Sequence, residues 1–539
     1  DARGMAGSMA GRPRGSSRVT EPRARRRVQV VVLGDFGRSP RMQFHALSLA
    51  DQAHFEVDVV AYTGSTPRGE ILAHPHIHLR LIPPPPAWLK RLPTALGLAV
   101  RVLLQLVQLT VLMLVRLKRP HFVLLQTPPC VPAFAVCRLV AFLRNATFII
   151  DWHNMAYTLM GLSLGHGHFL VQAARGYEKL AGRRADKHMC VTNAMSEWLE
   201  KEWGIQNVSV VHDKPPAFFK PICAKEAHDL FLRLENTLDN SGAKAKDDLS
   251  LRDAFCFGDE DEFDDVDFDD FPNHESPDAA RAAVTNTKTT PITTCLRASE
   301  TTTGDTEMYR DQNKGKGNAL EPRWRDRADR PCVLVSSTSW TADEDFGVLL
   351  DALVLYDVLA TQQLILDVSS SGGAKKSLPN LLVIVTGKGP QRAMYETRMR
   401  GLNLKRVVAR TAWITSEDYP KVLAASDLGV CLHTSSSGLD LPMKIVDMFG
   451  CGVPVLAARY GAIGELVVSR EAPKSQHQKR NGALFSSATE LAESLCDLLQ
   501  GWGARDNTEL DVLRRGAAQS ANTRWAEHWE KYAAPLFRE

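Results

Sequence analysis

The 539-residue chain reads as an α/β protein built from two doubly wound, Rossmann-like domains that face each other across a cleft. Three observations predict this. Two separate stretches alternate short apolar runs with helical patterns, as parallel strands buried beneath helices on both faces do. The first apolar run ends in a glycine turn that leads into a helix, the way nucleotide-type α/β domains begin. Between the two stretches lies a long acidic and threonine-rich segment with little that could form a core, so it separates two domains.

Composition narrows the class. A net charge of +3 does not suggest a nucleic-acid partner. The ten cysteines show no CxxC or zinc spacing, which points to reduced thiols in a cytosol-facing protein, and no metal is expected. Sequons at Asn145 and Asn207 occur at chance level. Residues 1–27 are polar and basic (PRARRR at Pro22 to Arg27); they are expected to be a disordered tail with no signal peptide or membrane anchor, either solvated or touching anionic lipid.

The first domain is expected over residues 28–231. Its strands are Val28 to Leu33, Val57 to Ala61, Ile77 to Ile82, Phe122 to Leu125, Phe148 to Ile150 and Val208 to Val211. The turn Gly34-Asp35-Phe36-Gly37-Arg38-Ser39-Pro40-Arg41 lacks the dinucleotide spacing GxGxxG. Asp151-Trp152-His153-Asn154 follows a strand directly, at the edge where parallel sheets bind ligands, and His153 could act there as a base or meet a phosphate. A histidine that only satisfies hydrogen bonds is the alternative. Residues 96–117 (LGLAVRVLLQLVQLTVLMLVRL) form an apolar helix whose uncharged run from Arg101 to Arg116 is shorter than the roughly 20 residues a bilayer needs. It is read as lying in a membrane interface, anchored by Trp88 and flanking cations, with a core helix as the alternative.

Residues 232–326 are expected to be a disordered insertion; the acidic run Asp259 to Asp270 is a solvated charge run, not a metal site. The second domain is expected over 327–520, with strands Val333 to Ser336, Leu381 to Val385, Val407 to Ala409, Leu428 to Leu432 and Pro454 to Ala457. A C-terminal helix within 521–539 is expected to pack back on the first domain. Thr341-Ala342-Asp343-Glu344 matches a capping box, so a helix is expected to start there. Thr386-Gly387-Lys388-Gly389-Pro390 lacks P-loop spacing, yet its glycines let the backbone and Lys388 approach a phosphate.

The most telling stretch is Thr434 to Leu456. The loop Ser435-Ser436-Ser437-Gly438 offers hydroxyls and backbone N–H groups near a helix start, where the peptide dipoles favour a diphosphate. Pro442 suits that start. Lys444 and Asp447, three apart, share one helix face and can serve one ligand, a cation for phosphate and a carboxylate for sugar hydroxyls. A surface ion pair is the alternative.

Taken together, SSTSWTADEDF (Ser336 to Phe346), TGKGP (Thr386 to Pro390), the long block from Trp413 to Val455, IDWHNMAYTLMGL (Ile150 to Leu162), CVTNAM (Cys190 to Met195) and GDFGRSPRMQFHA (Gly34 to Ala46) resemble the chitobiosyldiphosphodolichol β-mannosyltransferases. The resemblance covers about Val28 to Lys220 and Pro331 to the C-terminus. It implies a GT-B fold and transfer of mannose from GDP-mannose to GlcNAc₂-diphosphodolichol with inversion, on the cytosolic face of the endoplasmic reticulum. It also implies no tightly bound cofactor, contact with a membrane surface, and association with other mannosyltransferases of the same route. Donor binding falls to Ser337, Thr338, Lys388, Ser435, Ser436, Ser437, Gly438, Lys444 and Asp447; acceptor binding falls to Gly37, Arg38, Arg41 and Asn154. His153 and Asp151, then Asp35, are the candidate catalytic groups. The related signature spaces two acidic residues by seven, whereas Asp440 and Asp447 have six between them, which leaves Asp440 without a role. Rival readings are a transferase with another donor or lipid acceptor, and a non-catalytic scaffold.

Overall fold

The computed structural model describes residues 25–84, 86–239, 330–341, 344–369, 378–471, 479–502 and 508–538. The basic tail up to residue 24 and the acidic, threonine-rich stretch from 240 to 326 lie outside them. Apolar runs rich in β-branched residues become the strands, because both sheets are covered on both faces. The first sheet holds β1 (Arg27–Asp35), β2 (Glu56–Tyr62), β3 (Ile77–Ile82), β4 (Phe122–Thr127), β5 (Thr147–Trp152), β6 (Lys187–Cys190) and β7 (Val208–Val210). Its order is β3-β2-β1-β4-β5-β6-β7, and every pairing is parallel. The second holds β8 (Cys332–Ser337), β9 (Leu381–Thr386), β10 (Val407–Ala412), β11 (Leu428–Cys431), β12 (Val455–Ala458) and β13 (Gly482–Phe485). It is parallel in the order β10-β9-β8-β11-β12-β13. In each sheet the strand order reverses beside the first strand, between β1 and β4 and between β8 and β11. Parallel sheets open a ligand crevice at the carboxyl ends there.

Two strands, β6 and β13, were not expected from the sequence. Lys187 and His188 interrupt the apolar pattern of β6, yet His188 is buried and accepts the Trp152 indole N–H at 3.3 Å. The capping box is also overturned. The helix begins at Phe346, and the Glu344 carboxylate, instead of reaching back to Thr341, accepts Thr338 Oγ1 at 2.5 Å and the Ser339 N–H at 2.6 Å.

The expected start of the insertion at Leu232 falls inside a helix, Ala224–Asp239. Leu230, Phe231 and Leu234 of this helix are buried in a core shared with β8, β9 and β12, so it belongs to the second body. The chain crosses back near its end. The helix Trp525–Tyr532 and the helical turn Ala534–Phe537 after it place Trp525, Trp529 and Phe537 in the core beneath β1, β2 and β4.

The apolar helix runs from Thr94 to Thr110 and continues as a wider π turn to Arg116. Leu109, Met113 and Leu117 pack into the core beside β4, whereas Leu103, Val107 and Val115 are exposed. One stripe docks on the sheet and the rest faces outward.

Candidate active site

The carboxyl ends of β1, β4 and β5 place the first half of the site. Pro40 opens the helix Pro40–Asp51 directly after the β1 turn, which carries Arg41 inward. The Arg41 guanidinium is 2% exposed and is spent inside the protein. It donates to both oxygens of Asp151, at 2.9 and 3.0 Å, to Asp213 at 2.7 Å and to the Val211 carbonyl at 2.8 Å. The expectation that Arg41 meets an acceptor diphosphate is therefore corrected: a bidentate, buried ion pair leaves that charge compensated.

Asp151 is fully buried. Burial opposes its charge, but Arg41 and then His153 outweigh burial and hold its carboxyl well below the usual carboxylate range. Buried, and with both oxygens taken by Arg41, Asp151 has no open face for a substrate hydroxyl, so it is corrected from candidate base to a group that orients His153. Its Oδ2 accepts from His153 Nε2 at 2.8 Å. A carboxylate on Nε2 selects the Nε2–H tautomer and leaves Nδ1 as the lone-pair nitrogen. His153 is partly exposed, with 19% of its side chain accessible.

Asp35 closes a different structure. Its carboxylate accepts the N–H of Gly37 at 3.0 Å, the Ser65 N–H at 2.9 Å and the Ser65 hydroxyl at 2.7 Å. Burial pushes its pKa up, but the Ser65 hydroxyl and backbone bonds bring it below the ordinary value. It staples the loop after β1 to the loop after β2, which makes it a poor base. Gly37 is required there, because a Cβ would lie 2.3 Å from the Ser65 carbonyl oxygen. Arg38 stays at the rim, 70% exposed and 3.5 Å from Asp35.

The second half is built at the ends of β8, β9 and β11. Gly387 has φ of 134°, and a Cβ on it would strike the Thr338 oxygen at 1.8 Å, so only glycine brings the loop after β9 against the loop after β8. Lys388 then extends over the exposed Trp413 ring, 4.1 Å from its centroid. Ser337 and Thr338 are buried. Ser337 bonds Tyr419 and Thr386 at 3.1 and 3.2 Å, and Thr338 donates to Glu344. Both were expected to bind donor; their hydroxyls instead shape the loop from beneath.

Lys444 pairs with the buried Glu344 and lies 3.4 Å from the Ser339 hydroxyl. Asp447, on the same face of the helix Met443–Gly450, is only partly exposed. Burial, and then the neighbouring Asp213, raise its carboxyl well above the usual range against a weaker pull from Arg68. Lys444 and Asp447 are thus not paired with each other.

Asp440 acquires a role. It accepts the Ser435 hydroxyl, lies within 3.4 Å of the Ser437 hydroxyl and accepts Asn154 Nδ2 at 3.2 Å. Asn154 also donates to Ser436 at 3.3 Å, and Thr158 lies 3.2 Å from the same hydroxyl. The serine loop of the second body, with Gly438 at φ 73°, is therefore braced against the residue that follows His153. Ser435 and Ser437 turn their hydroxyls toward Asp440.

The structure brings His153, Asp151, Asn154 and the serine loop together at the junction of the two bodies. Glu344, Asp213, His45 and Glu465 also take part, and none stood out in the sequence. Glu344 was hidden by its capping-box spacing; the others are single polar residues whose partners are far along the chain.

A histidine held by a buried carboxylate, beside a braced polar loop and between two Rossmann-like sheets, is the layout of a two-domain glycosyltransferase. Residues 40–212 match the glycosyl transferase 4-like domain, and residues 362–501 match glycosyl transferases group 1. A sucrose-phosphate synthase from Thermosynechococcus elongatus aligns with a TM-score of 0.50 over 95% of this chain and 98% of its own, at 11% identity, a likeness of fold alone. The UDP-glycosyltransferase TURAN of Arabidopsis thaliana is 39% identical over 96% of this chain and 98% of its own. The chitobiosyldiphosphodolichol beta-mannosyltransferases of Mus musculus and Homo sapiens are 37% and 36% identical, over 95% and 97% of this chain and 89% and 95% of theirs. The chain belongs to the chitobiosyldiphosphodolichol β-mannosyltransferase family.

Proposed function

We propose that this chain transfers mannose from GDP-mannose to the terminal sugar hydroxyl of GlcNAc₂-diphosphodolichol, with inversion, giving the β1,4-linked product and GDP at the cytosolic face of the endoplasmic reticulum. His153 Nδ1 takes the acceptor hydroxyl proton, the oxygen attacks the anomeric carbon, and the bond to the diphosphate breaks on the opposite face. Asp151 stabilises the imidazolium that forms. The serine loop and Lys388, with Lys444 drawn from Glu344, meet the departing diphosphate. Asp447, on the same helix face as Lys444, meets the ribose hydroxyls.

The observation that supports this reading is the contact of Asn154 with Ser436 and Asp440, which brings His153 and the serine loop to one junction. The test uses the purified chain, a short-chain lipid-diphosphate chitobiose, and GDP-mannose or UDP-sugars as donors. Mannosyl product is expected only with GDP-mannose. Product from a UDP-sugar alone, the outcome suggested by the name of the Arabidopsis relative, would overturn the donor assignment. His153→Ala is expected to lower kcat by about 10²- to 10⁴-fold while GDP binding persists.

A further inference from the structure

Two histidines approach the same oxygen of Asp151. His153 Nε2 lies 2.8 Å from Oδ2, and His45 Nε2 lies 3.3 Å from it, near enough for electrostatic attraction but outside hydrogen-bond alignment. Arg41 Nε donates to that oxygen as well, at 2.9 Å. If both imidazoles could ionise, they would compete for one carboxylate, and the base would be ill defined. The sequence places His45 on an ordinary helix, with nothing local to separate it from His153.

The separation comes from the far end of the chain. The Trp529 indole N–H donates to His45 Nδ1 at 2.9 Å in a fully buried contact. Indole is a donor only, so Nδ1 must present its lone pair and the ring hydrogen sits on Nε2, facing Asp151. Protonating Nδ1 would set two N–H groups against each other and leave a buried donor unpaired, which is unfavourable. Trp525 closes the other side, edge-on at 5.1 Å from the His45 ring. The charged and titratable groups facing His45 are Asp151 on β5, His153 after it, and Arg41 on its own helix, itself backed by Asp213. Burial, Arg41 and His153 hold His45 below its ordinary value against the pull of Asp151.

We infer that Trp529 is a positioning residue that locks His45 in the Nε2–H tautomer and occupies its one basic lone pair at Nδ1, so that His153 alone serves beside Asp151 as the proton carrier. The inference rests on His153 being the base. It gives the C-terminal helix a part in the chemistry beyond closing the fold.

The test is the pH profile of mannosyl transfer by the full chain in the assay above. Trp529→Phe keeps the ring and removes the N–H, which frees His45 to become a cation that draws Asp151 from His153. Its deficit is expected to grow as pH falls, to about tenfold at the acid limb, with little deficit on the alkaline side. Trp529→Phe combined with His45→Gln removes the competing titration, and the pH dependence of the deficit is expected to vanish. A pH-independent deficit, the same in the single and double variants, would overturn the inference and leave Trp529 a packing residue. Should Trp529→Phe fail to fold, His45→Gln decides alone: it is expected to keep the wild-type midpoint whatever its rate, and a moved midpoint would mean that His45 titrates in the native enzyme. If His153→Ala stays active, the base assignment fails and overturns this inference with it; if His153→Ala is inactive and the deficit of Trp529→Phe is pH-independent, the inference alone fails.

Discussion

Glu178 is fully buried, and its carboxylate accepts the N–H groups of Ala156 at 3.0 Å and Tyr157 at 3.3 Å, the first turn of the helix that follows Asn154. Burial raises its pKa from 4.5 to about 7, and the two backbone bonds offset only part of that. A carboxyl whose folded pKa lies above its unfolded value contributes stability that is full below pH 4.5 and lost as pH rises toward 7. The difference is on the order of 3 kcal/mol. Glu178→Gln, which keeps an acceptor but cannot ionise, is expected to melt several degrees above the wild type at pH 8 and close to it at pH 5, by thermal unfolding at both values. Equal melting temperatures at pH 8 would show that the ionised carboxylate is already accommodated by its two N–H partners. At this scale the sequence was partly legible. His153 stood out because it follows a strand, but Arg41 was assigned to the acceptor and Asp151 to catalysis, since nothing local shows that each is the other's partner, 110 positions away.

Single side chains act here through elements, most plainly where Glu465 of the second body meets the helix Asn193–Trp203 of the first. Its carboxylate accepts the backbone N–H groups of Asn193 and Ala194 at 2.8 and 2.7 Å, the Asn193 amide at 3.1 Å, and contacts His212 at 3.2 Å. An anion at a helix N-terminus is favoured by the helix dipole and by unpaired N–H groups, and burial is outweighed by His212 and these bonds, so the Glu465 pKa is lowered. With Thr192 Oγ1 donating to the Leu439 carbonyl at 2.6 Å, this contact fixes how the serine loop meets His153. Glu465→Ala is expected to lower kcat/KM about tenfold, given about 1.5–3 kcal/mol for hydrogen bonds to a charged group, and to enlarge the radius of gyration in X-ray scattering. An unchanged radius with unchanged kcat/KM would remove the latch role. Strands with unbroken β-branched runs were legible because parallel sheets bury both faces, whereas β6 and β13 were missed because each is four residues long, β6 opening on Lys187 and His188 and β13 on Gly482 and Ala483 with no β-branched residue. The junction between the bodies was not legible at all, since its contacts join residues more than 240 positions apart.

The first body presents apolar side chains that neither body covers. Ala99–Arg116 is long and apolar enough to cross a membrane by length and composition, but Leu109 and Met113 are packed into the core, so this helix lies along the first domain. Beside its exposed Leu103, Val107 and Val115, neighbouring helices expose Phe142 and Leu143, Leu162, and Phe169. Arg116, Lys118 and Arg119 are exposed at its end. Apolar side chains in such number, edged by cations, exceed the scattered exposure of an ordinary soluble surface and suit the interface of an anionic bilayer. The sequence pointed to the first helix alone, because the other three are shorter and their outward apolar residues are exposed only as the fold sets them. A surface assembled this way makes a distributed prediction. Changing Leu103, Val107 and Val115 to Ser removes several kcal/mol of insertion energy at about 25 cal/mol per Å²; it is expected to lower flotation with anionic liposomes by at least tenfold and to leave a weaker residual affinity from Phe142 and Phe169. Adding Phe142→Ser and Phe169→Ser is expected to abolish flotation. Turnover of a short-chain acceptor in detergent is expected to persist in both variants, because none of these residues lies at the junction that holds His153. Wild-type flotation of the five-residue variant would exclude this face as the membrane contact.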